Sequence, residues 1–336
     1  MTRSMTTRMT TRRKLIAGVL MFLTVLGMQA GGAAAQAWPS RPIRVVVPLP
    51  PGGGADYLVR ALAEPLRLAL GQPILVENRV GADGRLGVEY VSKQPADGYT
   101  CLTVGTTNMA HPALFRNMTY DILKDFTPVG LIIRVPFALV VGPGVQAGSA
   151  QEYVTMARAN PGKITFGSSG IGSPFHLAGE LLKSMAGIDM LHVPYKGSGP
   201  ITTALLSGEV MSAFAPLGPF LQQVRSGKLR ALGILNGYRA AILPDLPTLE
   251  EAMSLPGFAL DAWVGLLAPA GTPRTNIDRL NREIVRIVRD TQFAKEHLVR
   301  QSYEPLGSTP QEMGETMKSA LALYAKIVRE AKIPAE

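Results

Sequence analysis

Two glycine-rich segments, each set between a strand-like and a helix-like run, carry most of the chemical information in this 336-residue sequence. The first is Pro48-Leu49-Pro50-Pro51-Gly52-Gly53-Gly54-Ala55-Asp56, following Ile43-Arg44-Val45-Val46-Val47. Three consecutive glycines remove every side chain where a strand hands over to a helix. Backbone N–H groups are then open above a helix N-terminus, where the peptide dipoles favour an anion. The same residues would also serve a tight turn that needs glycine for positive φ. Asp56 reads either as a ligand contact or as a helix N-cap.

The second segment, Phe166-Gly167-Ser168-Ser169-Gly170-Ile171-Gly172-Ser173-Pro174, again joins a strand to a helix start, with Pro174 suited to the first helical position. Its serine hydroxyls join the free amides, so it could donate to a carboxylate and orient it. A third connection, Tyr195-Lys196-Gly197-Ser198-Gly199-Pro200, places a lysine at its mouth, and Thr106-Thr107-Asn108 follows another strand with short polar side chains. Micromolar affinity needs roughly −8 kcal/mol. A charge-assisted hydrogen bond supplies roughly 1.5–3 and a helix terminus roughly 0.3–2 kcal/mol, against several kcal/mol lost on association. Two facing loops can reach that figure; one cannot.

Catalytic patterns fail on inspection. Gly167-Ser168-Ser169-Gly170 has the wrong spacing for a nucleophile elbow. Gly162-Lys163 lacks the earlier phosphate-loop glycine, where Ala157 stands, and is followed by Ile164 in place of Ser or Thr. Gly167, Gly170 and Gly172 do not follow the dinucleotide order. The four histidines are scattered; His176 and Glu180 share a helix face but have no third ligand nearby, so neither metal nor cofactor is expected.

Residues 1–37 read as an export leader: a basic start (Arg3, Arg8, Arg12, Arg13, Lys14), an apolar run of 14 residues from Leu15 to Met28, and small-residue cleavage sites after Ala35 or Ala37. Arg12-Arg13 also fits a twin-arginine signal, so the export route is open between the two systems. Without the leader the chain holds 29 basic and 25 acidic residues, a net charge of +4. Those charges are scattered, which argues against nucleic acid and suits an acidic small molecule. Cys101, the only cysteine, sits in an apolar run and reads as a buried core residue.

The remaining residues exceed one usual core and alternate strand and helix patterns, which predicts an α/β fold with mostly parallel sheets in two domains. Strands are expected at 43–47, 74–77, 99–104, 129–141 (interrupted at Pro136), 164–166, 190–193, 210–214, 229–235 and 262–268. Helices are expected at 57–70 (with Pro65 inside), 149–159, 174–185, 201–206, 220–225, 274–288, 292–300 and 310–331, with an irregular return through Pro244, Pro247 and Pro256. The chain should cross twice, giving one domain from 38–141 plus 262–336 and another from 142–261.

In order along the chain, Trp38-Pro39-x-Arg41-Pro42-Ile43, Pro50-Pro51-Gly52-Gly53-x-x-Asp56-x-x-x-Arg60, Val76-Glu77-Asn78-Arg79-x-Gly81-Ala82, Ala96-Asp97-Gly98-Tyr99-Thr100, the Gly167 to Glu180 segment and His192-Val193-Pro194-Tyr195-Lys196-Gly197 form a connected set. This pattern resembles the substrate-binding proteins of tripartite tricarboxylate transporters, the Bug receptors. The resemblance implies a periplasmic receptor with the two-domain type II binding-protein fold, hinged around an interdomain cleft. It also implies a small carboxylic acid or amino acid as ligand, inner-membrane transporter subunits as partners, a monomeric state and no enzymatic activity. Carried over, the ligand contacts are Pro51, Gly52, Gly53, Gly54, Ala55 and Asp56, with Thr106 and Asn108. Facing them are Ser168, Ser169, Gly170, Gly172 and His176, beside Tyr195, Lys196 and Gly197. Ala55 stands where the family commonly has a hydroxyl residue, and Ala204 where it often has an acid. Two other readings stand beside this one: a receptor that presents ligand to a membrane sensor kinase, and a periplasmic hydrolase or isomerase using the same cleft.

Overall fold

The computed structural model describes residues 38–333 and 335; the expected leader, with its cleavage sites, lies outside them. The fold is contained in the compact unit Arg41–Glu336. It opens with β1 (Ile43–Val47), α1 (Gly54–Leu70), β2 (Ile74–Asn78), α2 (Arg85–Ser92), β3 (Thr100–Gly105), α3 (Thr106–Leu114), β4 (Phe126–Arg134) and β5 (Phe137–Val141). It continues with α4 (Ala150–Ala159), β6 (Ile164–Ser168), α5 (Pro174–Ala186), β7 (Met190–Pro194), α6 (Ser198–Ser207), β8 (Ser212–Pro216), α7 (Leu217–Arg225), β9 (Arg230–Ile234) and α8 (Leu249–Met253). After β10 (Trp263–Pro269) and α9 (Arg274–Val288), an irregular helical stretch leads through residue 301 to β11 (Glu304–Pro305) and α10 (Pro310–Glu330).

Two mixed sheets result, ordered β11-β4-β10-β3-β1-β2 and β7-β6-β8-β5-β9. β1 pairs in parallel with β2 and β3, and β6 with β7 and β8. The expectation of mostly parallel sheets needs correction at β5 and β10, which run antiparallel to both neighbours. The reason is topological. A parallel neighbour needs a covering crossover, whereas a strand arriving directly from the other sheet enters at the loop edge and runs back.

The crossing point differs from expectation for a related reason. β5 was expected with the first sheet but belongs to the second, so the chain crosses at Val135-Pro136 and not after Val141. Pro136 has no N–H to continue the ladder. The crossing segments are tied together: Val135 N–H donates to Ala262 O (2.9 Å), and Leu217 N–H to Pro136 O (2.8 Å). Asn236, fully buried, accepts from Phe137 N–H (2.7 Å) and donates to Val135 O (3.2 Å).

Local signals account for the elements. Leu58, Leu62, Leu66 and Leu70 give α1 one buried face, and Gly71 ends it in the left-handed conformation (φ 75°). Pro65 lies within this helix. Ser149 Oγ caps α4 by accepting from Glu152 N–H, while the Glu152 carboxylate reaches Gly148 N–H (2.7 Å). Phe166, Phe214 and Phe258 are fully buried in the core. Cys101 is buried too, and loss of solvation pushes its thiol up to about 12.

Candidate ligand-binding cleft

Strands β1, β3, β6 and β8 end at one edge, and the turns that follow them start α1, α3, α5 and α7. A cavity of about 530 Å³ opens there, lined from both sheets. Four helix N-termini reach it: α1 through Gly54 and Ala55, α3 through Thr106 and Thr107, α6 through Ser198 and α7 through Gly218. First-turn amides have no intrahelical partner, and those of Gly54, Ala55, Thr106, Thr107, Ser198 and Gly218 meet no other acceptor among the described residues. Arg300 is the basic side chain on this wall and Asp83 the acidic one.

In the first glycine loop the Gly52 and Gly53 amides are tied back, to Asp56 and to Pro50 O (3.4 Å), while those of Gly54 and Ala55 are not. Asp56, 4 % exposed, is the third residue of α1 and not its N-cap; that place falls to Gly53, which has no side chain to cap with. The Asp56 carboxylate reaches back to accept from Gly52 N–H (2.9 Å) and is held by Arg60 Nε (3.0 Å). The Arg60 hydrogen bond, with the Gly52 amide, lowers the carboxyl to about 2. Asp56 therefore organises the loop from behind. Of its neighbours, Gly52, Gly54 and Ala55 line the cavity, while Pro51 and Gly53 do not. Positive φ is needed at Gly52 (81°). Gly54 is required for a different reason: a Cβ there would collide with the Tyr303 hydroxyl.

In the second loop side chains take up the Gly170 and Gly172 amides. Ser168 is fully buried, its Oγ meeting His192 Nε2 (2.6 Å), donating to Gly170 O (3.0 Å) and accepting from Gly170 N–H (3.1 Å). Gly172 N–H donates to His176 Nδ1 (3.1 Å), and Ser173 Oγ to Gly170 O (2.7 Å). Ser168 and His176, expected at the ligand, are engaged by these bonds and line neither cavity. The rings of His176 and His192 lie 4.1 Å apart, tilted by 32°, and burial lowers each to about 4. Lys183 (3.0 Å) competes with His176 Nε2 (3.8 Å) for the same Glu180 oxygen. Ser169, Gly170 and Gly172 line a second cavity of about 540 Å³, which shares Pro48, Leu49, Asp83, Thr106, Thr107, Phe137 and Phe175 with the first. Gly172 (φ 75°) faces Leu114, whose Cδ1 would lie 2.7 Å from an added Cβ.

Thr106 and Asn108 line the first cavity, although both side chains are engaged. Asn108 Oδ1 accepts from Gly105 N–H (3.0 Å), and the Thr106 hydroxyl meets the buried Tyr324 phenol. Tyr195, Lys196 and Gly197 line neither cavity. The Tyr195 hydroxyl donates to Glu209 (3.0 Å), Lys196 is exposed, and the next residue, Ser198, reaches the cleft instead. Sequence reasoning missed Tyr57, Phe175, Gly218, Trp263, Arg300 and Tyr303 on the first wall. Trp263 opens a strand that was expected, and Gly218 sits just after one. Arg300 and Tyr303 carry no local signal: the segment reads as an ordinary helix but contains a π-helical turn at Ala294–Leu298 and a left-handed Ser302 (φ 59°). Those features bring residue 301 against Gly218, so the segment touches elements of both sheets.

Comparison with known proteins identifies relatives of this cleft. Residues 58–333 match the family model described as tripartite tricarboxylate transporter family receptor. A protein encoded in the tcbD-tcbE intergenic region of Pseudomonas sp. (strain P51) is 35% identical over 324 residues, covering 96% of each chain. Protein BugT of Bordetella pertussis is 34% identical over 319 residues, covering 94% of this chain and 97% of its own. Among solved structures, Rpa4515 of R. palustris with adipate superposes with a TM-score of 0.77 at 34% identity, covering 89% of this chain and all of its own. MatC from Rhodopseudomonas palustris with bound malate gives 0.73 at 29% identity, covering 87% of this chain and all of its own.

Proposed function

The chain belongs to the tripartite tricarboxylate transporter receptor family, with its type II periplasmic binding-protein fold, and from that premise we propose that it captures a small carboxylate in the periplasm. It is exported by its leader, closes two lobes about the crossings near 135–136 and 261–262, and presents the ligand to inner-membrane transporter subunits. It acts as a monomer, by binding and release without covalent chemistry. The carboxylates bound by its two R. palustris relatives support the ligand class.

One observation carries the reading: four helix N-termini converge on a single cavity with their first-turn amides free. Each charge-assisted N–H···carboxylate bond contributes about 1.5–3 kcal/mol, so four or five bonds give micromolar affinity after the cost of association. Gly52, Gly54, Ala55, Thr106 and Asn108 form the first wall of this site, and Ser169, Gly170 and Gly172 the facing rim.

A thermal-shift screen of mono-, di- and tricarboxylates, amino acids and neutral sugars tests it. Ligand at about 100 times Kd adds about 2.7 kcal/mol, a rise of several degrees. A shift with a neutral sugar and none with any acid would sink the proposal.

A further inference from the structure

The two cavities differ in kind although they share walls. The first is lined by Gly54, Ala55, Ser198 and Gly218 at helix N-termini, and shares Thr106 and Thr107 with the second. The second is walled by Leu114, Phe115, Phe137 and Phe175, with Ile171, 69 % exposed, at its lip. Several of its polar groups are engaged with one another: Gly170 N–H with Ser168, Gly172 N–H with His176, and Ser173 Oγ with Gly170 O. No lysine or arginine lines it, and the charged group at its junction with the first cavity is the Asp83 carboxylate. Phe137 and Phe175, whose rings meet at 4.6 Å, form the wall common to both.

We infer that the ligand is a carboxylate with an extended apolar body, its carboxylate in the first cavity and its body laid across Phe137 and Phe175 into the second. This rests on the carboxylate reading above and specifies its substrate class. A short hydroxy acid or a tricarboxylate fits poorly, because among the described residues Arg300 is the one cation lining either cavity and additional charged groups would sit beside the Asp83 carboxylate. An apolar chain, by contrast, displaces water from the Phe137–Phe175 wall. Burial of a methylene is worth about three- to fourfold in affinity.

Calorimetric titration of the exported, processed protein with acetate, butyrate, hexanoate, malate, citrate and hexanamide tests the inference. The expected result is Kd falling about three- to fourfold per methylene from acetate to hexanoate, with malate and citrate weaker than hexanoate. A flat series, or malate or citrate binding as tightly as hexanoate, overturns it. Hexanamide separates the two levels: if it matches hexanoate, the carboxylate reading itself fails, whereas acids that bind without any dependence on length defeat only the apolar-body inference. Two variants sharpen the result. Phe175→Ala should flatten the chain-length series. Asp83→Asn should strengthen malate binding several-fold, and its left-handed backbone (φ 55°) tolerates Asn. A full length dependence in the Phe175→Ala protein, or unchanged malate affinity in Asp83→Asn, would also contradict the inference.

Discussion

The two glycine loops look alike in sequence and do different work. In the first, one buried carboxylate ties the turn from behind, and the amides of Gly54 and Ala55 stay free toward the cavity. In the second, Ser168, Ser173 and His176 take up the loop's own donors and acceptors. A glycine-rich strand-to-helix turn can serve an anion only through amides that nearby side chains leave unused. Both loops are tied in place; the groups that tie them, a carboxylate in one and a serine and histidine in the other, separate them.

Acid should have the largest effect, and it should separate the loops. His176 and His192 fall to about 4 in the fold from a usual 6.5, so their contribution is complete above pH 6.5 and is lost as pH falls toward 4. For Asp56, lowered to about 2, the contribution is complete above pH 3.8 and is lost only as pH falls toward 2. The second loop should release first, with a loss on the order of several kcal/mol between pH 7 and 4. Urea midpoints across that range should drop steeply in the native protein and less steeply in His192→Gln.

Next in size is Asp56→Ala, which removes charge-assisted bonds to Arg60 and Gly52. It should cost about 2–3 kcal/mol in unfolding free energy and at least tenfold in carboxylate affinity. Gly172→Ala forces a left-handed alanine against Leu114 and should cost about 2 kcal/mol, read by thermal unfolding. Gly54→Ala meets the Tyr303 hydroxyl and should cost about 1–2 kcal/mol, most of it recovered in Gly54→Ala/Tyr303→Phe. Without the hydroxyl, the nearest ring atom lies at an ordinary 3.5 Å. The smallest binding effect is expected for Ser168→Ala, which should lower stability by about 1 kcal/mol while ligand affinity changes less than threefold.

Strand and helix positions were legible because hydrophobic periodicity and glycine ends are local. The sheet that β5 joins was not, since Phe137 to Val141 is apolar enough for either sheet and only its partners decide. The difference between the loops was also hidden. Ser168 carries the hydroxyl expected of a ligand contact, yet its role is set by His192, 24 residues away in sequence. Tyr303 is further removed still, placed against Gly54 by an irregular helical stretch that has no local signature.

The most direct test follows backbone amides in the ¹⁵N-labelled protein as hexanoate is added. Large downfield proton shifts at Gly54 and Ala55, with smaller shifts at Gly170 and Gly172, are the expected result. Shifts concentrated at Gly170 and Gly172, with Gly54 silent, would contradict the division of labour between the two loops.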